Sequence, residues 1–292
     1  MAVGQTRARD GVQTTLLDDD RALAYAEYGD PDGAPLVFCH GLPGSRVQGS
    51  LLRAAARDHG VRVLAPDRPG VGQSGTAGVR PLGDWAADVA TLADRLDIDE
   101  YAVVGFSAGG PRALACGART PDRVTRCVVA SGSPPPGRAA ELDGFVRAAT
   151  TLGGVSVHLT RPLAWLLCRQ VDGAERFTDV VGDPPDGDLA DPRLGETGRV
   201  LLSDAREAVR QGPRPVATEF AALGRDWGFD LGDVAVPTRV VHGALDETVP
   251  ASVGERVADA VPDGEFVGYE NAGHYLVLTE HADDVVAWAA GE

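Results

Sequence analysis

Short apolar runs alternate with helical repeats along the first part of the chain. Residues 12–18 and 21–28 show partial alternation of polar and apolar positions around an acidic turn, which predicts a β-hairpin. Most of the runs that follow are wholly apolar, a pattern typical of strands covered on both faces of a parallel sheet. The predicted strands are 35–39, 61–65, 101–104 and 123–130. A clear helical repeat, with apolar residues three and four positions apart, precedes residue 101 and predicts βαβ units.

The alternation stops at Ser133, which three prolines follow, and it resumes near residue 238. The intervening part predicts only helices, together with a solvated loop at 182–192 that is rich in acidic residues, Gly and Pro. These helices are expected at 141–150, 160–171, 195–210 and 213–224. After them we expect strands at 238–242 and 265–269 and helices at 250–261 and 276–290. The pattern predicts one α/β domain, residues 1–132 and 235–292, interrupted by a helical cap, residues 133–234.

The segment 101–111 reads YAVVGFSAGGP and carries the candidate nucleophile, Ser107. A strand, a G-x-S-x-G turn and a helix in succession form the nucleophile elbow, in which the serine backbone is strained and its neighbours must be small. Gly105, Ala108 and Gly109 meet that requirement. The alternative is a turn-capping serine that matches the motif by chance in a chain rich in Gly and Ala. The predicted strand before Ser107 and the predicted helix after it favour the nucleophile elbow.

A serine hydroxyl needs a base and a group that orients the base. Among the six histidines, His274 lies in a turn after a predicted strand, at the same sheet edge as Ser107. The other histidines have positions that favour structural or solvated roles; His40, for example, precedes a Pro/Gly-rich turn. Asp246 follows the strand 238–242 and is the expected acid; Glu247 is its nearest competitor, and Asp226 and Asp230 are weaker ones.

The composition narrows the class of protein. The 292 residues carry a formal net charge of −16, which argues against nucleic acid or an anionic membrane as partners. Lysine is absent, so all 27 basic residues are arginine. Biased codon usage or a high-salt cytoplasm would each favour this, and the large acidic excess favours a halophile. The four cysteines lack metal-site or disulfide spacing and predict buried thiols. No signal peptide or membrane span is apparent, so we expect a cytoplasmic protein.

The motifs H-G-x-P-G-S at His40, D-R-P-G-x-G-x-S at Asp67 and G-x-S-x-G-G-P at Gly105 follow one another in this order. With the order Ser107, Asp246, His274, they resemble the α/β-hydrolase superfamily, in particular its capped serine hydrolases of the esterase type. The resemblance implies the α/β-hydrolase fold, a mostly parallel sheet flanked by helices with a helical cap. It also implies an oxyanion hole made by the backbone N–H groups of Leu42 and Ala108. We expect Asp67 to hold its loop, a structural role.

The expected function is hydrolysis of a small carboxylic ester through an acyl-enzyme, with Ser107 as nucleophile, His274 as base and Asp246 as its orienting acid. Neither a metal nor an organic cofactor is implied, and the expected partner is a small-molecule substrate. Hydrolysis of a lactone, an amide (including iminopeptidase activity) or a C–C bond would use the same triad. A ligand receptor with this fold and negligible turnover is the alternative from another class. Phe145, Leu163, Trp165, Leu166 and Phe220 are expected either to line the pocket or to fill the core of the cap.

Overall fold

The computed structural model describes residues 11–138, 141–142, 144–181 and 195–292. Eight strands form one sheet in the order β1-β2-β4-β3-β5-β6-β7-β8. The strands are β1 Val12–Leu16, β2 Ala22–Gly29, β3 Ala34–Cys39, β4 Val61–Pro66, β5 Tyr101–Phe106, β6 Val124–Ala130, β7 Thr238–Gly243 and β8 Gly264–Tyr269. The first two pair antiparallel, as does β2 with β4, and all later pairs are parallel. The predicted α/β fold and its hairpin are confirmed.

Helices cover both faces of the sheet. The helices in the described residues are α1 Arg53–Asp58, α2 Trp85–Arg95, α3 Gly110–Arg119, α4 Gly144–Val155, α5 Val157–Gly173, α6 Thr178–Val181, α7 Gly195–Ala208, α8 Pro213–Leu223, α9 Ala251–Ala260, α10 Leu276–Thr279 and α11 Ala282–Ala290. Helices α2, α3 and α9 bury their apolar residues against one face, and α1 and α11 bury theirs against the other. Strands β3 to β6 are consequently apolar on both faces, as the sequence indicates.

Helices α4 to α8 lie between β6 and β7 and have an apolar core of their own, which includes Val171, Leu201 and Phe220. We refer to them as the inserted helices. We call the sheet and the helices that cover its two faces the main domain; its residues Leu42 and Tyr275 pack against this core. Of the apolar residues expected here, Phe220 is buried, whereas Trp165 and Leu166 are half exposed. The division into domains at residues 132 and 235 stays a prediction, and the loop predicted at 182–192 lies outside the described residues.

The closing helix expected at 276–290 is wrong as a single element, because the chain forms α10 and α11 with a break at Glu280 and His281. The imidazole of His281 stacks on the Tyr269 ring, with 3.7 Å between centroids and 4° between planes. Asp283 and Asp284 then lie in the first turn of α11, where carboxylates interact favourably with the helix dipole. No helix among the described residues has the length and apolar character needed to span a membrane.

Candidate active site

The parallel strands end at one edge of the sheet, and the predicted site residues follow those ends. Cys39 of β3 is in register with Gly105 of β5, so the loop after β3 lies beside the turn after β5. Gly243 of β7 pairs with Tyr269 of β8, and Asp246 and His274 follow these two residues in the next loops. The carboxyl edge of a parallel sheet is where such folds bind their ligands.

Ser107 stands at the turn from β5 into α3, and its φ of +52° lies in the left-handed region. This conformation is strained for a non-glycine residue. The flanking glycines are required by close backbone approach. A Cβ on Gly105 would lie 2.4 Å from the Gly109 carbonyl oxygen, and one on Gly109 would lie 1.9 Å from the Cys39 carbonyl oxygen. The local geometry is therefore that of a nucleophile elbow.

Asp246 and His274 are joined directly. Nδ1 of His274 lies 2.7 Å from Oδ2 of Asp246, while Oδ1 of Asp246 accepts the N–H groups of Thr248 and Val249 at 2.9 and 2.8 Å. Burial alone would raise the pKa of Asp246, but the charge of His274 and the hydrogen bonds from His242 and His274 outweigh it, so this pKa is well below the usual range. The carboxylate is ionised and fixed, and the Nε2 atom of His274 remains for another partner.

The residue before Ser107 contacts this pair: the Phe106 ring centroid lies 4.9 Å from that of the His274 ring. Ser107 and His274 are each 8% exposed, so both retain some access to solvent. The hydrogen bonds of these described residues do not include one between Ser107 Oγ and His274. Catalytic hydrogen bonds of free enzymes often tighten only when substrate is present.

The residues of the predicted oxyanion hole also lie together. Leu42 and Ala108 pack in one apolar cluster with Leu223 from the end of α8. The Ala108 N–H belongs to the first turn at the elbow, where a helix leaves its N–H groups without intrahelical acceptors. The Leu42 N–H, in the loop after β3, has no hydrogen-bond acceptor among the described residues. Both backbone N–H groups are thus without an intrahelical or loop acceptor among the described residues, as the predicted oxyanion hole requires.

The competing carboxylates lie in other environments than Asp246. Glu247 is exposed, whereas Asp246 is buried. Asp226 and Asp230 accept backbone N–H groups of their own turns. Asp67 accepts the Arg46 N–H at 2.7 Å and the Gln73 N–H at 3.1 Å, so its expected role in holding the loop is confirmed.

His40 is fully buried and holds its own loop. Its Nδ1 lies 3.0 Å from the Gly41 carbonyl oxygen, and Nε2 accepts the Arg68 N–H at 3.3 Å. Burial, assisted by the Arg68 charge, lowers the pKa of His40 well below its usual value, so its imidazole is neutral. All four cysteines are free and buried, so the expectation of buried thiols is confirmed.

Sequence reasoning missed His242, which lies in β7 with its side chain fully buried. Its Nε2 lies 2.7 Å from the Val249 carbonyl oxygen and 3.2 Å from Asp246 Oδ2. Because both neighbours are acceptors, Nε2 carries a proton, and His242 is a second donor to the Asp246 oxygen that also contacts His274. A histidine directly after the two valines of this strand was the available signal, since a buried polar group needs a partner.

Comparisons with known proteins identify the family and the fold. The sequence profile of the alpha/beta hydrolase fold matches residues 34–281. The chain is 28% identical over 272 residues to a non-heme chloroperoxidase of Streptomyces lividans, covering 91% of this chain and 94% of that protein. It is 25% identical over 282 residues to a bifunctional esterase/perhydrolase of Acinetobacter calcoaceticus, covering 95% of each.

Among solved structures, a hydrolase from Pseudomonas aeruginosa PA01 superposes with a TM-score of 0.70 at 22% identity, covering 98% of this chain and all of that one. This likeness concerns the fold. The profile match spans most of the chain and includes the loop after β3, the elbow, Asp246 and His274. The chain therefore belongs to the α/β-hydrolase family of enzymes.

Proposed function

We propose that the protein hydrolyses small carboxylic esters through an acyl-enzyme on Ser107. The observation that carries the proposal is the hydrogen bond between Asp246 and His274 at the sheet edge that also bears the strained Ser107. An orienting carboxylate, an imidazole and a serine hydroxyl at one edge are the components of serine acyl transfer. The esterase/perhydrolase relative supports the ester as the substrate class.

In the proposed reaction, Ser107 Oγ attacks the acyl carbon and its proton passes to His274 Nε2. The carbonyl oxygen gains the negative charge, which the N–H groups of Leu42 and Ala108 stabilise. His274 then protonates the departing alcohol, which leaves an acyl ester on Ser107. Water then attacks the acyl carbon and gives its proton to His274, which returns it to Ser107 Oγ. The carboxylic acid is released and the free serine is regenerated. Asp246 keeps the His274 ring in the tautomer that the first step requires.

The inserted helices are the proposed cap over this site. A cavity of about 400 Å³ lies between the loop after β6 and helices α4 and α8, and its lining includes Ser133, Leu142 and Leu223. The backbone N–H of Ser133, a residue that lines the cavity, donates to the Ser107 carbonyl oxygen at 3.1 Å, so the cavity adjoins the backbone of the elbow. Its size and partly apolar lining suit a small ester.

The test is hydrolysis of p-nitrophenyl esters of increasing acyl length by wild type and Ser107→Ala. We expect turnover by wild type, none by Ser107→Ala, and an adduct of a fluorophosphonate probe on Ser107 by peptide mass mapping. Ser203→Ala is the matched control, since Ser203 is an exposed serine of α7 and its loss leaves labelling intact. An unlabelled wild type, or labelling of Ser107→Ala equal to wild type, would contradict the proposal.

Perhydrolysis is a second candidate, favoured by the relative that is an esterase/perhydrolase. In this reaction hydrogen peroxide replaces water in the attack on the acyl-enzyme, and a peroxycarboxylic acid leaves. Adding hydrogen peroxide to the ester assay and measuring oxidation of an added halide by the peracid separates the two activities. Saturable stabilisation by an ester without product would instead favour the receptor alternative.

A further inference from the structure

Three charged side chains are buried together beside the proposed oxyanion hole. Arg68 follows β4, Arg112 lies on α3, and Glu219 comes from α8 of the inserted helices. Their exposed fractions are 0%, 3% and 5%. Glu219 contacts Nε of Arg68 with one carboxylate oxygen and lies 2.9 Å from Nη2 of Arg112 with the other. One carboxylate from the insertion therefore holds two guanidinium groups of the main domain.

Each arginine also donates to the backbone that carries the oxyanion donors. Nη2 of Arg68 donates to the Gly41 carbonyl oxygen at 2.8 Å, and Nη1 donates to the His40 carbonyl oxygen. Nη1 of Arg112 donates to the Ala108 carbonyl oxygen at 2.8 Å. The loop after β3 and the elbow are thus held from behind by the two arginines that Glu219 joins.

The contact with Gly41 bears directly on the oxyanion hole. The Gly41 carbonyl and the Leu42 N–H belong to the same planar peptide unit, so a group that fixes one also fixes the direction of the other. A charged donor on the carbonyl polarises the unit and strengthens its N–H as a hydrogen-bond donor. Arg68 therefore orients and strengthens the Leu42 N–H from the side opposite the substrate.

The charges of the group add to this effect. Two guanidinium groups and one carboxylate leave a net charge of +1 in a region with little water. Burial lowers the pKa of Arg112 to about 10, against the opposing influence of Glu219, so Arg112 is charged at neutral pH. A fixed positive charge stabilises negative charge that develops nearby, and it does so more strongly where water is excluded.

We propose that Glu219 is a positioning residue that sets the oxyanion hole through Arg68 and Arg112. The inference rests on the proposed function, because it assigns Leu42 and Ala108 to the hole. Under this proposal the inserted helices position the oxyanion donors in addition to covering the substrate. The packing of α8 on the main domain completes the donor geometry, since the carboxylate that joins the arginines comes from α8.

A purely structural ion pair between insertion and main domain provides the contrast. Glu207 of α7 lies 2.8 Å from Nη1 of Arg46, which also contacts Asp67. This pair has the same chemistry as the Glu219 group, but its described contacts do not include the peptide units of Gly41, Leu42 or Ala108. Glu207→Gln is therefore the matched control for Glu219→Gln.

The test compares catalysis with binding of an alkylboronic acid, whose tetrahedral adduct on Ser107 places an oxygen in the oxyanion hole. Removing an oxyanion donor outright typically costs about 10²–10³ in rate, so a donor that is present but misaligned should cost about 10-fold. In Glu219→Gln and Arg68→Lys we expect kcat/KM to fall and the boronate Ki to rise by this same factor, with KM little changed. The double variant should lose no more than the worse single variant, because the two residues act as one unit. Glu207→Gln should leave kcat/KM and the boronate Ki at wild-type values.

Thermal unfolding of every variant is measured alongside. If the other variants do not fold, Arg112→Met is used instead, because the remaining pair of Arg68 and Glu219 has no net charge. We expect the same parallel change in kcat/KM and in the boronate Ki for this variant. An active wild type whose variants bind the boronate as wild type does, or an equal loss in Glu207→Gln, would overturn this inference alone. A wild type without ester turnover and without labelling at Ser107 would overturn the proposed function and the inference together.

Discussion

Asp246 Oδ2 lies 2.7 Å from Nδ1 of His274, although 28 positions of the chain separate the two residues. The contact arises because β7 and β8 are neighbours and both loops leave the same edge of the sheet. Backbone N–H groups fix the other carboxylate oxygen, so the acid cannot rotate away from the imidazole. The order of the strands therefore produces the pair, and the local turn at Thr248 makes it rigid.

Replacing this acid should affect catalysis far more than replacing its neighbour. We expect Asp246→Asn to lower kcat by about 10³–10⁴-fold, because an amide can present an N–H to His274 and favour the wrong tautomer. Glu247→Gln is the control at the adjacent, exposed position and should leave kcat unchanged. Steady-state ester hydrolysis measures both. Equal losses in the two variants would contradict the assignment of the acid.

The elbow should not tolerate a methyl group. A Cβ on Gly109 would lie 1.9 Å from the Cys39 carbonyl oxygen, and the backbone of β3 cannot move away without breaking the sheet. We therefore expect Gly109→Ala to destabilise the protein by about 3 kcal/mol or more in urea unfolding, and to abolish ester turnover.

Gly173 offers the matched control for this change. It lies at the end of α5 with open space around its Cα, so Gly173→Ala should be neutral or stabilise by up to about 1 kcal/mol. A Gly109→Ala variant as stable as Gly173→Ala would show that the close approach at the elbow is not as described.

Asp204 should make the folded state less stable at alkaline pH. It is buried on α7 and accepts Ser45 N–H and Oγ–H at 2.7 Å each, yet burial raises its pKa to about 8. When folding raises the pKa of a carboxyl, the group stabilises the folded state fully at pH values below its pKa in the unfolded chain. This contribution is lost as the pH rises towards its pKa in the folded protein. Between pH 6.5 and 8 we expect unfolding free energy to fall by up to about 1.4 kcal/mol per pH unit.

Asp204→Asn removes the titrating group and keeps an acceptor for Ser45, so its stability should vary less over this range. Urea unfolding at pH 6.5 and 8 provides the measurement. The interval avoids the opposite contribution of His40, whose lowered pKa makes the protein less stable as pH falls below about 6.5. Identical slopes for wild type and Asp204→Asn would disprove the role of this carboxyl.

Salt should stabilise the protein. With a net charge of −16, carboxylate repulsion opposes folding at low ionic strength, and molar KCl reduces the screening length to about 3 Å. We expect the thermal unfolding midpoint to be several degrees higher in about 2 M KCl than in dilute buffer. Replacing the exposed Asp18, Asp19 and Asp20 by Asn should weaken that dependence. A midpoint that falls with KCl would contradict the expected halophilic character.

The parts of the molecule that follow from local pattern were predictable. Apolar runs identified the strands, and small residues around Ser107 identified the elbow, because close backbone approach excludes larger side chains. The break between α10 and α11 was not predictable, since no Gly or Pro marks it. It accompanies the stacking of His281 on Tyr269, a contact made in the folded chain.

Buried charges were the other feature that sequence could not reveal. Glu219 and Asp204 lie on helices in which charged residues ordinarily face solvent, and nothing in the neighbouring sequence marks them as buried. Their partners are distant: Arg68 is 151 positions from Glu219, and Ser45 is 159 positions from Asp204. Only the packing of the inserted helices on the main domain brings these groups together.

The position of Glu219 within the inserted helices has a consequence for engineering and for divergence of this chain. Exchanging the whole segment for that of a relative, as a route to new specificity, would discard the counter-charge of Arg68 and Arg112 along with the old binding surface. Such a chimera needs an acidic residue at the equivalent point of its new helix, or uncharged replacements for both arginines. Under the proposed role of Glu219, substrate preference and catalytic competence would be inherited together.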